Sequence, residues 1–573
     1  MRSAASVATL ARTLMTQRKC CRYWYFRRSC WAAVAALSLA WVALVAPTSA
    51  QVTLEEPVPA ADDLATVFEK GSRLESERKW AEALSFYEEH LRQHPDRTDL
   101  KQRVVLSRAH YDVARRYGDD SYTAALASLS ERETLAIYDE VLSKIQANYV
   151  HQPRWQQLVE SGVTTLEVAL SEPAFVQRNL AQLPAEQLGA LQRELRQLLA
   201  GRNVADRQQT LSQVQTIGVT LRTRYGLPLQ AVVMEFTSGA AAALDEYSSF
   251  LTGGQMDEVF SQIEGNFVGL GIELKTEPVG LLIVNTIPDG PAAQGGIKRG
   301  ERIVAVDGKS IHDTSADTLA DLLRGVEGSV VEVLVHDTQD QPRTLRLTRR
   351  RVEVPSVTDV KILDPAAGIG YFKLTSFQKT TSRDVDAALW NLHSQGLRHL
   401  IIDLRGNPGG LLKASVDVAD KFVMDGLIVA TRGRSAREDF DHRGQLAGTW
   451  RVPLVVLIDH DSASASEIFA GAVRDHQRGT VVGVTSYGKG SVQGIFPLAA
   501  ANVGVRLTTA KWYTPSGQAI SGEGVTPHIQ VQSAAKPAAA SATQVAQLAG
   551  GEDAILNAGL QVVRDQLATR RTP

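Results

Sequence analysis

Residues 453–476, PLVVLIDHDSASASEIFAGAVRDH, decide how this chain folds. Pro453 to Ile458 is a short apolar run with the length of a buried strand. Asp459 to Ser464 is a polar loop, and a helix follows to about His476. Strand, loop and helix in that order imply layered α/β structure. The unit recurs upstream. There the strand Leu400–Leu404 runs into the loop Arg405-Gly-Asn-Pro-Gly-Gly410, then an amphipathic helix from about Leu411 to Val423. Thr480 to Gly483 supplies another strand. In open α/β sheets, sites collect outside the carboxyl ends of strands, so these two loops are where chemistry is expected.

Ser462-Ala-Ser-Ala-Ser-Glu467 is the more informative loop. Ser464 stands three residues before Glu467, the spacing of a capping box, and could simply cap the helix. The same position suits a nucleophile. A helix N-terminus leaves unpaired N–H groups, that of Ala465 among them, which can stabilise an oxyanion together with the helix dipole. Alanines at 463 and 465 leave room for an approaching chain. Gly409-Gly410 could present a second backbone N–H with no side chain in the way. A serine nucleophile needs a base, and Gly488-Lys-Gly-Ser-Val-Gln493 offers Lys489. In an extended chain Lys489, Ser491 and Gln493 share a face, so Gln493 could hold the Lys489 amine. A lysine base must be neutral, which requires a pKa depressed by desolvation. A solvated lysine in a glycine turn is the plain alternative.

Other chemistries fit less well. Gly483 to Lys489 matches GxxxxGK, but Gly490 stands where Ser or Thr should ligate magnesium. Ser491 to Leu498 also reads as strand, where a phosphate loop must open a helix. His460 is too near Ser464 in sequence to face it as the base of a Ser–His–Asp triad. Neither a GxSxG elbow nor HExxH occurs.

Glycine usage divides the rest of the body. Residues 51–250 hold eight glycines and residues 251–573 hold 36. Helices avoid glycine, so the first part is expected to be helical. Within it, Gly71, Trp80, Ala83, Tyr87 and Pro95 have spacings that resemble a tetratricopeptide helix pair near 65–95, with an ordinary helical hairpin as the equal alternative. From about Gly253 the period changes toward strands. Phe267–Ile272, Leu281–Asn285, Arg302–Val306, Val330–His336 and Arg343–Thr348 read as strands, with a short helix at Thr318–Arg324. Together this segment resembles a PDZ domain. The tail from Ser533 to Gly550 is Ala/Ser/Gln-rich and expected to be flexible. An amphipathic helix follows, at about Asp553 to Leu567.

The chain has 573 residues, with 61 Lys+Arg against 63 Asp+Glu. The first 50 residues carry seven of the basic groups, no acidic group, and all three cysteines, Cys20, Cys21 and Cys30. The remaining body is therefore cysteine-free and mildly acidic. This excludes a disulfide framework, a cysteine nucleophile beyond residue 30 and a CxxC zinc site. It also argues against a nucleic-acid binder, which needs a basic footprint. Trp31 to Ala46 is a 16-residue apolar run behind those basic residues, with Thr48-Ser49-Ala50 as a cleavage site. That is the pattern of a secretory signal, and the run is shorter than the ~20 residues of a spanning helix. Retention as an uncleaved inner-membrane anchor, with the body outside the cytoplasm, is the alternative.

Ser462–Ala472, Gly488–Gln493, Leu404–Leu412 (LRGNPGGLL) and Tyr513–Gly517 (YTPSG) resemble the carboxyl-terminal processing, or tail-specific, protease family. The likeness runs from about Asp245 to Val531 and includes Tyr371–Phe377. It implies a serine–lysine endopeptidase on a crotonase-like α/β core. Ser464 would be the nucleophile and Lys489 the general base, with Gln493 supporting it. The N–H groups of Ala465 and Gly410 would form the oxyanion hole. Phe267, Val268, Gly269, Leu270, Gly271 and Ile272 would form the loop that receives substrate C-termini, a mode in which backbone N–H groups capture a carboxylate while a strand joins the sheet. Tyr487, Trp512, Gln518 and His528 depart from common family residues without touching the nucleophile or base.

The expected architecture is multidomain α+β. An export signal or anchor occupies 1–50, a helical domain 51–252, a PDZ domain 253–350 and a serine protease core 351–532. A flexible tail and helix occupy 533–573. The expected partners are proteins with accessible C-terminal tails, an adaptor on the helical domain and the membrane through residues 31–46. Neither cofactor nor metal is expected, and the expected location is the periplasm or cell envelope.

Overall fold

A computed structural model describes residues 64–199, 203–277, 280–311, 322–445, 449–531 and 553–571. The expected export segment, the apolar run at 31–46, most of the helix expected at 318–324 and the 533–550 tail lie outside the described residues.

Side-chain alternation explains the central layers. A six-stranded sheet runs in the order Val357–Asp364, Ile369–Leu374, His399–Asp403, Leu454–Ile458, Thr480–Gly483 and Ile529–Gln530. The first pair is antiparallel and the rest are parallel. Leu400, Ile402, Leu454, Val456 and Val481 face a core shared with Leu389, Val418 and Phe469. Those three come from the helices Thr381–Ser394, Leu412–Asp420 and Ala465–Asp475. Ile401, Val455, Leu457 and Val482 face the other way, toward Val563 of the C-terminal helix Ala554–Arg571. Both faces are covered, so these strands read as continuous apolar runs. His399–Asp403 and Leu454–Ile458 are parallel neighbours. The two loops of interest therefore leave the sheet side by side, at its carboxyl edge.

A second, antiparallel sheet centres on Gly504–Tyr513. Ser491–Pro497 lies along one edge of that strand, and Ser249–Leu251 and Gly426–Gly433 along the other. The helical region does not close a core of its own. Its main cluster, with Ile137, Val141, Val232 and Phe236, continues into Phe250, Leu498, Val505 and Leu507 of this sheet and its flanks. The hairpin Leu64–Ser76 and Trp80–Gln93 does form a small core around fully buried Ala83 and Tyr87. A Cβ on Gly71 would meet the Tyr87 ring at 2.2 Å, so only glycine admits that ring.

The change at Gly253 goes first to helix, Gly253–Glu264, and strands begin only at Asn266. The glycines sit at the helix ends. Thr252 and Gln255 cap the start reciprocally (3.2 and 3.1 Å), and Gly265 ends it at φ 74°. Beyond it, Asn266–Gly269 pairs with Arg350–Glu353. Ile272–Glu277, Gly280–Thr286, Arg302–Val306, Val330–His336 and Pro342–Thr348 form a sheet in that order, over a core of Ile283, Ile303, Val333 and Leu347. Ile272–Glu277 is one of its two edge strands. Among the described residues no helix is long and apolar enough to cross a membrane.

Candidate active site

Ser464 precedes the helix Ala465–Asp475 with φ 54° and ψ −112°. A positive φ on a non-glycine residue costs about 1–3 kcal/mol and persists only where neighbours enforce it. Here they do. Ser462 Oγ donates to the Leu404 carbonyl (2.9 Å) and Ser466 Oγ to the Asn407 carbonyl (3.0 Å). Ala463 N–H also donates to the Asn407 carbonyl (3.0 Å). Fully buried Asn407 sends its amide to the Leu374 carbonyl (2.8 Å). The serine loop and the glycine loop are thus stitched together.

Gly409 and Gly410 both need to be glycine. Gly409 has φ 101°, and a Cβ there would lie 2.6 Å from the Ala463 carbonyl and 2.9 Å from the Ser464 Cβ. Gly410 has φ 140°, and a Cβ would meet the Phe377 carbonyl at 2.1 Å. The two N–H groups differ. That of Gly409 donates to Asn407 Oδ1 (2.9 Å). Those of Gly410 and Ala465 donate to no acceptor among the described residues. Arg405, in the same loop, grips Asp403 and also Asp553 of the C-terminal segment (2.7 and 2.9 Å).

Glu467 joins the serine to the lysine. It is fully buried, and its Oε2 accepts the N–H of Ser464 (2.7 Å) and the N–H of Lys489 (2.9 Å). Its Oε1 accepts from Ser486 Oγ (2.6 Å) and Gly488 N–H (2.7 Å). Burial pushes this carboxyl above its ordinary value, and the four donors pull against it. The Glu467 N–H donates to the Ser464 carbonyl (2.9 Å). In the sequence Glu467 showed only as the cap partner of Ser464; its other three donors, Ser486, Gly488 and Lys489, lie about twenty residues further along the chain.

Lys489 lies in the loop before Ser491–Pro497 and is half-buried. Its pKa is lowered, by burial first and by the Arg506 guanidinium second. Its Nζ sits 4.8 Å from the centroid of the Tyr247 ring. No hydrogen bond joins Gln493 to it among the described residues. The Gln493 amide nitrogen donates to Ser491 Oγ (2.9 Å) and Thr508 Oγ1 (3.5 Å). The strand register shifts between Val492 and Gln493, which breaks the simple alternation expected from Lys489 onward. His460 is exposed beside Asp461 (3.7 Å), away from this cluster of bonds.

The six residues expected to receive a C-terminus fall in three places. Phe267, Val268 and Gly269 pair with Val352, Arg351 and Arg350. Leu270 and Gly271 form the bend, with Gly271 at φ 72°. Their carbonyls accept from Ala292 (2.9 Å) and Ile287 (2.8 Å), while their own N–H groups find no acceptor among the described residues. Ile272 opens the edge strand.

Comparison with known proteins follows the same division. The peptidase family S41 model matches residues 368–531, and a PDZ domain model matches 282–336. A carboxy-terminal-processing protease of Bartonella bacilliformis is 37% identical over 309 residues, covering 53% of this chain and 70% of that protein. A chloroplastic C-terminal processing peptidase of Tetradesmus obliquus is 32% identical over 303 residues, covering 50% of this chain and 65% of that protein. The solved photosystem II D1 C-terminal processing protease is 26% identical, covers 70% of this chain and 93% of its own, and superposes with a TM-score of 0.36.

Proposed function

The chain belongs to peptidase family S41, with the PDZ-bearing carboxy-terminal-processing proteases, and from that premise we propose that it cleaves protein tails with a Ser464–Lys489 dyad in the cell envelope. The observation that carries the dyad is the shared oxygen. Glu467 Oε2 binds the backbone N–H of the serine and of the lysine, so each is located relative to the other by one buried carboxylate.

In this reading a substrate C-terminus meets the free N–H groups of Leu270 and Gly271 and adds a strand at Ile272–Glu277. The scissile carbonyl then reaches Ser464. Lys489 accepts the Ser464 proton as the hydroxyl attacks, which its lowered pKa favours. The N–H groups of Ala465 and Gly410 stabilise the tetrahedral oxyanion. Lys489 passes the proton to the leaving amine, and water resolves the acyl-enzyme. Gln493, through its bonds to Ser491 and Thr508, fixes the strand that follows Lys489. The first 50 residues export the body to the periplasm or hold it at the membrane through residues 31–46, and an adaptor would dock on the helical region, which neither family match reaches.

The test uses an unfolded protein with an apolar C-terminal tail. Ser464→Ala and Lys489→Ala should each lower cleavage by about 10⁴-fold or more while leaving tail binding intact. Undiminished cleavage by either purified variant would sink the assignment.

A further inference from the structure

Lys489 needs a holder, and Gln493 is occupied elsewhere. What the amine meets is the face of Tyr247, at 4.8 Å. No hydrogen bond or ion pair to Lys489 Nζ occurs among the described residues.

Tyr247 is itself firmly mounted. Its N–H and that of Ser248 donate to Asp245 Oδ1 (3.0 and 2.8 Å), which shapes the turn. Its carbonyl accepts from Arg506 Nε (3.0 Å). Ser248 Oγ accepts the Thr508 N–H (3.2 Å). Tyr149, from the helical region, donates its hydroxyl to the Leu244 carbonyl (2.7 Å). The next strand, Ser249–Leu251, pairs with Gly504–Arg506. Lys489 leads into Ser491–Pro497, on the opposite edge of the same Gly504–Tyr513 strand. Ring and amine therefore reach each other from two sides of one strand, fixed in relative position by the sheet.

We propose that Tyr247 is the positioning residue of the general base: its ring face orients the Lys489 amine and stabilises the ammonium formed when Lys489 takes the Ser464 proton. This rests on the dyad reading above and deepens it. A ring quadrupole attracts the ammonium and is nearly indifferent to the neutral amine. Its contribution therefore appears as the proton moves from Ser464 Oγ to Lys489 Nζ, which is the condition for accelerating the step. The other charged groups facing the amine are Arg506 on the central strand, Asp245 and Glu246 on the tyrosine's own turn, and Glu467 on the helix after Ser464. Tyr487 lies against Tyr247.

The experiment compares Tyr247→Phe and Tyr247→Leu with the parent, and adds 3,5-difluorophenylalanine at 247, which keeps the ring's shape and weakens its negative face. Tyr247→Phe should retain kcat. Tyr247→Leu should lose about tenfold in kcat with KM unchanged, and the difluoro ring should fall between. The acid limb of the kcat profile should move to lower pH in the same order, because the ammonium has lost its partner. A second measurement does not depend on peptidase activity. In a Ser464→Ala background, the pH midpoint for acetylation of Lys489 by acetic anhydride, read by mass spectrometry, should fall from Phe to difluoro-Phe to Leu. Equal midpoints for Phe and difluoro-Phe would overturn the proposal, even if Tyr247→Leu fails to fold. A Tyr247→Phe enzyme as slow as Tyr247→Leu would overturn it too. Activity surviving Lys489→Ala would instead strike the dyad itself, and the acetylation midpoints would still judge Tyr247.

Discussion

Glu467 and Glu235 are both fully buried carboxylates, and they are held in opposite ways. Glu235, in the helical region, meets a cation: its Oε2 accepts from the Arg116 guanidinium at 2.6 Å. The pair is incomplete, since Glu235 Oε1 and Arg116 Nε find no hydrogen-bond partner among the described residues. Glu467 forms no ion pair among the described residues. Four neutral donors satisfy both its oxygens. Burial pushes both carboxyls up. A countercharge pins two helices together but tolerates imperfect geometry. Backbone N–H groups cannot move independently of the chain, so a carboxylate that gathers them fixes where the main chain runs. Glu235 is a staple, and Glu467 is a jig for the residues on either side of it.

The strongest way to break this contrast is Glu467→Ala. It strands four buried donors, so kcat should fall by about 10³-fold or more, and stability by several kcal/mol at about 1–3 kcal/mol per unsatisfied group. Initial rates together with urea unfolding would check both, and an enzyme with unchanged kcat would end the claim that Glu467 aligns the site. Next comes Glu235→Leu. It leaves Arg116 buried and unpaired, which should cost about 3–5 kcal/mol, with kcat of the folded fraction unchanged. The double variant Arg116→Met/Glu235→Leu should recover most of that loss. A kcat defect in the folded double variant would show that the staple also serves catalysis.

The smallest effect concerns Lys489. Its folded-state pKa is lowered, chiefly by burial. Between that pKa and the ordinary lysine value the unfolded state binds the extra proton, so wild-type stability should rise with pH across this window. Lys489→Met should be the more stable protein at neutral pH and should lack that rise. Urea unfolding from pH 7 upward would show it. Equal pH slopes in the two proteins would mean that the amine is not desolvated.

Much of the site was legible because its signals are local. Strand, loop and helix around Ser464 follow from apolar runs and turn residues within a few positions. Gly409-Gly410 announced a close approach, and both prove to have positive φ and no room for a Cβ. The helix Gly253–Glu264 hides behind its own glycines, although Thr252, Gln255 and Gly265 mark its ends. Glu467 was visible only in part, as the far end of a capping spacing. Tyr247 and Asp553 had no local signal at all. Each acts on a residue far along the chain, Lys489 and Arg405 respectively.

The sequence by itself determined the order of elements and singled out Ser464, Lys489 and the glycine pair as candidates. Capping, turn geometry and apolar periodicity depend on near neighbours, so they can be read along the chain. Only the tertiary structure decided what meets the Lys489 amine. A shift of register between Val492 and Gln493 sends that glutamine to Ser491 and Thr508. Sheet pairing on both edges of Gly504–Tyr513 delivers Tyr247 to the amine instead. Strand register carries no local signature, and a slip of one residue turns every following side chain to the other face. Which residue meets Lys489 is therefore a property of the assembled sheet.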